Sequence, residues 1–276
     1  MGLRDRGIEI KKPEQIAAMR RAGLVVGGAL EVLRAAVRPG VSTAELDGIA
    51  EDHIRSAGAT PSFLGYHGFP GSICASVNDE VVHGIPGERV LAEGDVVSLD
   101  CGAIVDGWHG DAAVTVAVGA VPAEVTELMR VTEEALWHGI AAARLGGRVT
   151  DISHAVEKHV RSHAGHGRSF GILEDYVGHG IGSAMHQPPN VPNYGAAGRG
   201  PKLVQGLALA VEPMVTLGSP DVEVLDDDWT VVTADGSWAA HFEHTFTLTP
   251  DGAWVLTALD GGETQLAALG VPFGGR

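Results

Sequence analysis

A run of two helices followed by short strands occurs twice along this 276-residue sequence, which predicts an α+β fold with two similar halves around one antiparallel sheet. Glycine and proline punctuate the first strand region, between residues 60 and 120, as turns between short strands require. No Ser/Gly linker or low-complexity tract separates the halves, so a single domain is expected. Its halves fall at about 11–120 and 121–258, with a C-terminal tail at 260–276.

The first helix spans 13–37. Ile16, Met19, Gly23, Val26, Leu30, Leu33 and Val37 recur at steps of three and four, Pro13 opens the segment, and Pro39-Gly40 closes it. Ser42-Thr43-Ala44-Glu45 has the form of a capping box and starts a second helix, which carries Leu46, Ile49 and Ile54 to a stop at Gly58. Strands follow at Ser72 to Val77, Val96 to Ile104 and Asp111 to Val118. Helical spacing returns from Pro122 to Leu145 and from Asp151 to about His163. Strands resume at Leu207 to Glu212, Trp229 to Thr233, Ala239 to Thr249 and Trp254 to Ala258.

Composition narrows the function classes. Hydrophobic residues are 45% and charged residues 20%, the range of a folded, water-soluble protein. Charges interrupt the N-terminal stretch where a secretory signal needs an apolar run, and Arg6 stands where a myristoylation motif wants Ser or Thr. The longest apolar stretch, Leu203 to Leu217, contains Gln205 and Glu212 and is too short and polar for a bilayer. A cytoplasmic location is therefore expected, with no membrane partner. Cys74 and Cys101 form no Cys-x-x-Cys pair and are read as reduced, buried thiols. The net charge of −16 argues against DNA as a partner. Residues 1–21 are locally basic, with six Lys or Arg against three acids, and are a candidate contact to a ribosome.

A set of carboxylates carries the chemistry. Val96-Val-Ser-Leu-Asp100 is an apolar strand ending in an acid, and Asp106-Gly107 just beyond it is a two-residue hairpin signal. If the turn is regular, residue 105 faces 108 and 100 faces 113. Asp111 then shares a face with Asp100, a diagonal neighbour roughly 7–8 Å away at the backbone. Two acids so placed repel each other unless a cation sits between them. The second half supplies matching groups. Leu207-Ala-Leu-Ala-Val-Glu212 again ends an apolar strand in an acid, Glu243 sits inside an alternating strand, and His179 lies in the glycine-rich run Gly178-His-Gly-Ile-Gly182. An oxygen-rich site with one histidine suits Mn, Fe, Co or Zn. A second group, His154, His159, His163 and His166, crowds the end of one helix. It is read as lacking acids placed to join it, and the helix dipole accounts for histidines there, so it is read as no metal site. Asp226-Asp227-Asp228 reads as a solvated loop.

Asp100, Asp111, His179, Glu212 and Glu243 occur together with Leu64-Gly-Tyr-His-Gly, Ser76-Val-Asn, Val81-Val-His83-Gly-Ile-Pro, Glu212-Pro-Met-Val and Phe242-Glu-His-Thr. This pattern resembles the type I methionine aminopeptidases from about Lys11 to about Ala258. The resemblance implies the pita-bread fold, with its curved sheet and pseudo-symmetric halves. It also implies removal of the initiator methionine from nascent polypeptides whose second residue is small. Two divalent ions are implied, with Asp111 and Glu243 bridging them, Asp100 completing one, and His179 and Glu212 the other. His83 and His186 would contact substrate, and Tyr66, Phe69, Cys74, Met185 and Trp229 would surround the methionine side chain. Phe63 and Met185 depart from the family's usual residues and put the pocket's shape in question. No cysteine precedes Cys74, so the zinc-binding N-terminal extension of longer relatives is not expected.

On this reading a hydroxide bridging two ions attacks the N-terminal peptide bond. His83 and His186 stabilise the tetrahedral intermediate, and Glu212 shuttles a proton to the leaving amine. The partners are nascent N-termini, met by a monomer. Two alternatives share the residues: a proline-directed peptidase of the same fold, and an inactive binding module, which the loss of a ligand would mark.

Overall fold

The computed structural model describes residues 7–164 and 170–275. Two helices open it. α1 (Pro13–Ala36) carries proline in its first turn and buries Ile16, Met19, Gly23, Val26, Leu30 and Leu33 on the expected stripe. α2 (Thr43–Ser56) starts at the capping box: Glu45 N donates to Ser42 Oγ at 3.1 Å, and Ser42 N donates to Glu45 Oε2 at 2.8 Å. Just beyond it, Gly58 has a φ of 74°, which ends helical geometry.

β1 (Thr60–Pro61), a 3-10 turn (Tyr66–Gly68), β2 (Ile73–Val77) and β3 (Glu80–Val82) lead into the long hairpin of β4 (Val96–Val105) and β5 (Trp108–Ala117). Asp106 and Gly107 have φ of 52° and 78°, the pair of left-handed residues whose twist suits a tight hairpin. Pairing then runs without interruption, with Val105 opposite Trp108 and Asp100 opposite Ala113, as the sequence predicts. The returning strand starts three residues earlier than expected, at Trp108, because the turn is only two residues long.

The second half repeats the plan. α3 (Ala123–Ala142) and α4 (Val149–Ser162) pack together, Gly139 of α3 lying against Val156 and Ile152 of α4. After them come β6 (Gly171–Ile172), β7 (Gly178–Gly180), β8 (Gln187–Val191), β9 (Ala208–Val211), β10 (Met214–Thr216), β11 (Val222–Val224), β12 (Val231–Thr233), β13 (Ala239–His241), β14 (Glu243–Thr249), β15 (Gly252–Val255) and α5 (Glu263–Ala268). The main sheet has the strand order β1-β4-β5-β14-β9-β7-β8, with β2 added on β4 and β15 on β14. Two three-stranded sheets flank it, β13-β10-β6 and β11-β12-β3.

Two expected strands sit at Val231–Thr233 and Gly252–Val255 rather than at Trp229 to Thr233 and Trp254 to Ala258, and a further correction bears on the site. The strand expected from Ala239 to Thr249 is broken at Phe242, so that β13 and β14 belong to different sheets. The partner strand breaks at the same level, because Pro213, between β9 and β10, has no N–H to donate to the ladder. Phe242 N reaches Pro213 O at 3.4 Å, and beyond that point both chains continue in the smaller sheet, Met214 opposite His241. Glu212, His241 and Glu243 all sit at this break.

α1 lies directly on the hairpin. A Cβ on Gly110 would stand 2.8 Å from Gly23 N, and one on Gly23 would stand 2.1 Å from Leu256 O, so glycine at both positions lets helix and strand backbones meet. The core between sheet and helices includes Leu33, Leu46, Leu99, Leu128, Leu136, Ile152 and Phe246. At the C-terminal end, Leu266 of α5 is fully buried and Phe273 bridges to Ala253. Among the described residues, no helix is long and apolar enough to cross a membrane.

Candidate metal centre

Five adjacent strands of the main sheet each bring one donor to the same region. β4 ends its apolar run in Asp100, and β5 carries Asp111. β14 starts at Glu243, Glu212 follows β9 directly, and β7 holds His179. Ala113 pairs with Asp100 on one side and with Glu243 on the other, so these three side chains share a face. Asp111, two residues from Ala113, lies on that face as well. Asp111 is anchored through its backbone: Thr245 Oγ1 donates to Asp111 O at 2.8 Å, and Asp111 N reaches Thr245 Oγ1 at 3.2 Å. The strand order therefore sets the donors out as Asp100, Asp111, Glu243, Glu212, His179, with Glu243 in the middle.

Asp111, His179 and Glu243 are buried, and Asp100 and Glu212 half-buried. Asp111 is 3% exposed, His179 6% and Glu243 2%, which leaves no room for Glu243 on a solvent face. Asp100 Oδ1, Asp111 Oδ1, Glu212 Oε1 and Glu243 Oε1 have no hydrogen-bond partner in the protein, an expensive state for ionised oxygens unless a cation meets them. His179 Nδ1–H donates to Gly180 O at 2.9 Å, which turns the Nε2 lone pair toward the acids. That nitrogen lies 3.4 Å from Glu212 Oε1 and 4.0 Å from Asp111 Oδ2, acceptor facing acceptor. The residues present fit a group of divalent cations.

The electrostatics agree. Without metal, burial pushes the Asp100 carboxyl from 3.8 up to about 7. Burial and then the neighbouring Glu243 and Asp100 charges raise Asp111 well above the carboxylate range. Glu212 is raised by burial and by Asp100 and Asp111, and Glu243 by burial and by Glu212 and Asp100. Burial, aided by His186, holds His179 down to about 3, so it stays neutral and available as a ligand.

One cavity of about 140 Å³ opens onto these donors, lined further by Phe63, Tyr66, Phe69, Cys74, His83, Met185, His186 and Trp229. Cys74 pairs with Asp100, which sets the apolar pocket directly beside the carboxylates. Phe63, Phe69, Cys74 and Met185 form a small apolar cluster against Tyr66, Ile85 and Trp229, and Phe69 meets Trp229 edge to face at 5.1 Å. Tyr66 Oη and His186 Nδ1 are 2.9 Å apart, and the His179 and His186 rings are 4.3 Å apart. His83, at a left-handed φ of 59°, lies edge to face with Tyr176 at 5.6 Å and Trp229 at 6.2 Å. Burial lowers its pKa to about 4. Cys74 and Cys101 are both free and buried.

Sequence reasoning passed over His241. Its Nε2 is buried without a partner, 3.9 Å from Glu243 Oε2 and 4.0 Å from Glu212 Oε2. Its spacing, two residues before Glu243, was the available signal. The helix-end histidines do have an acid beside them in the fold: Glu134 of α3 lies 3.2 Å from His159. His166 is outside the described residues. The aspartates at 226–228 form an exposed turn in which Asp227 Oδ1 accepts from Trp229 N and Thr230 N.

Comparison with known proteins gives a consistent picture. The pattern of metallopeptidase family M24 matches residues 17–250. Methionine aminopeptidase 1 of Mycobacterium tuberculosis is 58% identical over 245 residues, 88% of this chain and 92% of that protein. The methionine aminopeptidase of Clostridium acetobutylicum is 52% identical over 251 residues, 91% of this chain and 98% of that one. The crystal structure of the Thermotoga maritima methionine aminopeptidase superposes with a TM-score of 0.88 at 43% identity, covering 91% of this chain and 99% of that one.

Proposed function

The chain belongs to the methionine aminopeptidases of metallopeptidase family M24, enzymes of the pita-bread fold that remove N-terminal methionine, and on that premise we propose how its residues divide the work. Two divalent ions of the Mn, Fe, Co or Zn class are held by Asp100, Asp111, His179, Glu212 and Glu243. The observation that carries this reading is the order of the donors across five neighbouring strands. On the family's pattern Asp111 and Glu243 would be shared between the ions, with Asp100 completing one and Glu212 with His179 the other, an assignment that the donor order is compatible with. When bound, the ions supply Lewis acidity and lower the pKa of water toward neutrality.

The protein's own groups do the rest. The methionine side chain enters the pocket of Tyr66, Phe69, Cys74, Met185 and Trp229, where a flexible thioether packs well against ring edges. Phe63 adds a further wall. His83 and His186, neutral near pH 7, line the cavity beside the carboxylates and hydrogen-bond the oxygen and amide of the scissile peptide as charge develops. Glu212, a carboxylate lining the cavity, carries a proton to the leaving amine. The substrates are nascent chains with a small second residue, processed by a cytoplasmic monomer.

A ribosome contact through the segment from Arg4 to Arg21 has less charge to draw on than the composition suggests. Lys11 is buried on Glu9, Arg20 donates to the carbonyls of Leu256 and Ala258, and Arg21 pairs with Asp106. Binding that ignored both salt and removal of this segment would reject the contact.

Met-Ala, Met-Gly, Met-Leu and Ala-Pro peptides offered to the metal-loaded enzyme test the assignment. Release of methionine from Met-Ala and Met-Gly in preference to Met-Leu is expected. Preference for Ala-Pro would replace the proposal with a proline-directed peptidase.

A further inference from the structure

We propose that Glu134, His159 and His163 form a second site for a divalent transition ion of the zinc class, one that clips α3 to α4 on the outer face of the molecule. Glu134 comes from α3, His159 from the last turn of α4, and His163 from the cap of that helix. One donor atom from each lies within 4.8 Å of the other two. Two imidazoles and a carboxylate are a donor set that such ions take and that magnesium or calcium does not favour.

The details point to a ligand rather than to a finished network. His159 Nε2 is buried without a hydrogen-bond partner, although Glu134 Oε2 is 3.2 Å away. His163 Nδ1–H donates to His159 O at 3.0 Å, which fixes the tautomer and leaves the Nε2 lone pair free for a metal. The His138 ring stacks on His159 with centroids 4.3 Å apart and planes 23° from parallel, holding it from behind.

Two groups oppose the ion and must be accommodated. Arg130 donates to Glu134 Oε2 at 2.5 Å, but it also makes two independent bonds to Glu127, so it can give up Glu134 without losing its place. Lys158 lines a surface cavity together with His159. Donors bound about 2.1 Å from one ion lie about 3.5 Å apart, against 3.2 Å between Glu134 Oε2 and His159 Nε2, so the carboxylate has to shift by only a few tenths of an ångström to admit it. Glu134, with 42% of its side chain exposed, is free enough to do so. Three protein donors leave one tetrahedral position for solvent.

Equilibrium dialysis of the metal-loaded enzyme against buffered zinc chloride, with bound metal counted, tests the site. The wild type should carry one zinc per chain more than the Glu134→Gln/His163→Ala double variant, while both release methionine from Met-Ala equally. The single His163→Ala variant, altered only at the helix cap, should lose the same ion. Zinc should also raise the melting temperature of the wild type further than that of either variant. Equal zinc counts would overturn the proposal. So would a lower count accompanied by loss of methionine release, since the missing ion would then belong to the peptidase centre.

Discussion

The sheet centre and the α3–α4 cluster both gather histidines and carboxylates, yet they are built in opposite ways. At the helices, donors four residues apart share a helix face, so His159 and His163 are neighbours by local geometry alone. At the sheet, donors separated by as many residues as lie between Asp100 and Glu243 are brought together only because β4, β5 and β14 pair in register. The sheet centre is buried, with four carboxylates raised in pKa. The helical cluster has one carboxylate, partly exposed and shared with an arginine. The difference teaches that crowding of ligand types in sequence is a poor guide to a strong site. Burial of unpartnered charge is the better one.

The sharpest way to break this comparison is Asp111→Ala. It removes a central donor from the sheet centre, so bound metal should fall and methionine release should drop to background, with little rescue by added metal. Metal content and Met-Ala turnover measured together check this. Retained activity would mean that the sheet centre is no more essential than the helical cluster.

His83→Ala should act more weakly and differently. His83 lies outside the five-donor set, so metal should remain bound while kcat falls by roughly 10²–10³. If its contact forms only in the transition state, kcat and kcat/KM fall together and KM barely moves. Metal loss equal to that of Asp111→Ala would show His83 to be a ligand.

A pH effect of smaller size sharpens the contrast in burial. In metal-free protein the Asp100 carboxyl, raised from 3.8 to about 7, keeps in the fold a proton that the unfolded chain releases above pH 3.8. The metal-free fold therefore loses stability as pH rises from about 4 through 7, and the other three raised carboxyls add in the same direction. Bound cations relieve that cost, so the melting-temperature gap between metal-loaded and metal-free enzyme should widen as pH rises through this window. Scanning calorimetry on both forms reads the gap, and a gap that narrows with pH would contradict the burial of ionised carboxylates.

Much of this was legible in the sequence because local rules happened to decide it. The Asp106-Gly107 turn set the register of β4 and β5, and with it the shared face of Asp100 and Asp111. Ser42 and Glu45 marked the start of α2. What remained hidden depended on contacts far apart in the chain. The paired break at Pro213 and Phe242 needs both strands to be known together, β6, β7, β10 and β11 are too short to show a period, and Pro188-Pro189 hides β8. Glu134 could not be assigned to His159 without the packing of α3 on α4, so a cluster dismissed for lack of an acid proves to have one.

Anomalous diffraction from crystals of the manganese- or cobalt-loaded enzyme tests the central claim most directly. The account predicts two peaks inside the cavity, about 3.5–4 Å apart, with Asp111 and Glu243 reaching both, Asp100 reaching one, and His179 with Glu212 reaching the other. A single peak, or a pair held by other side chains, would contradict it.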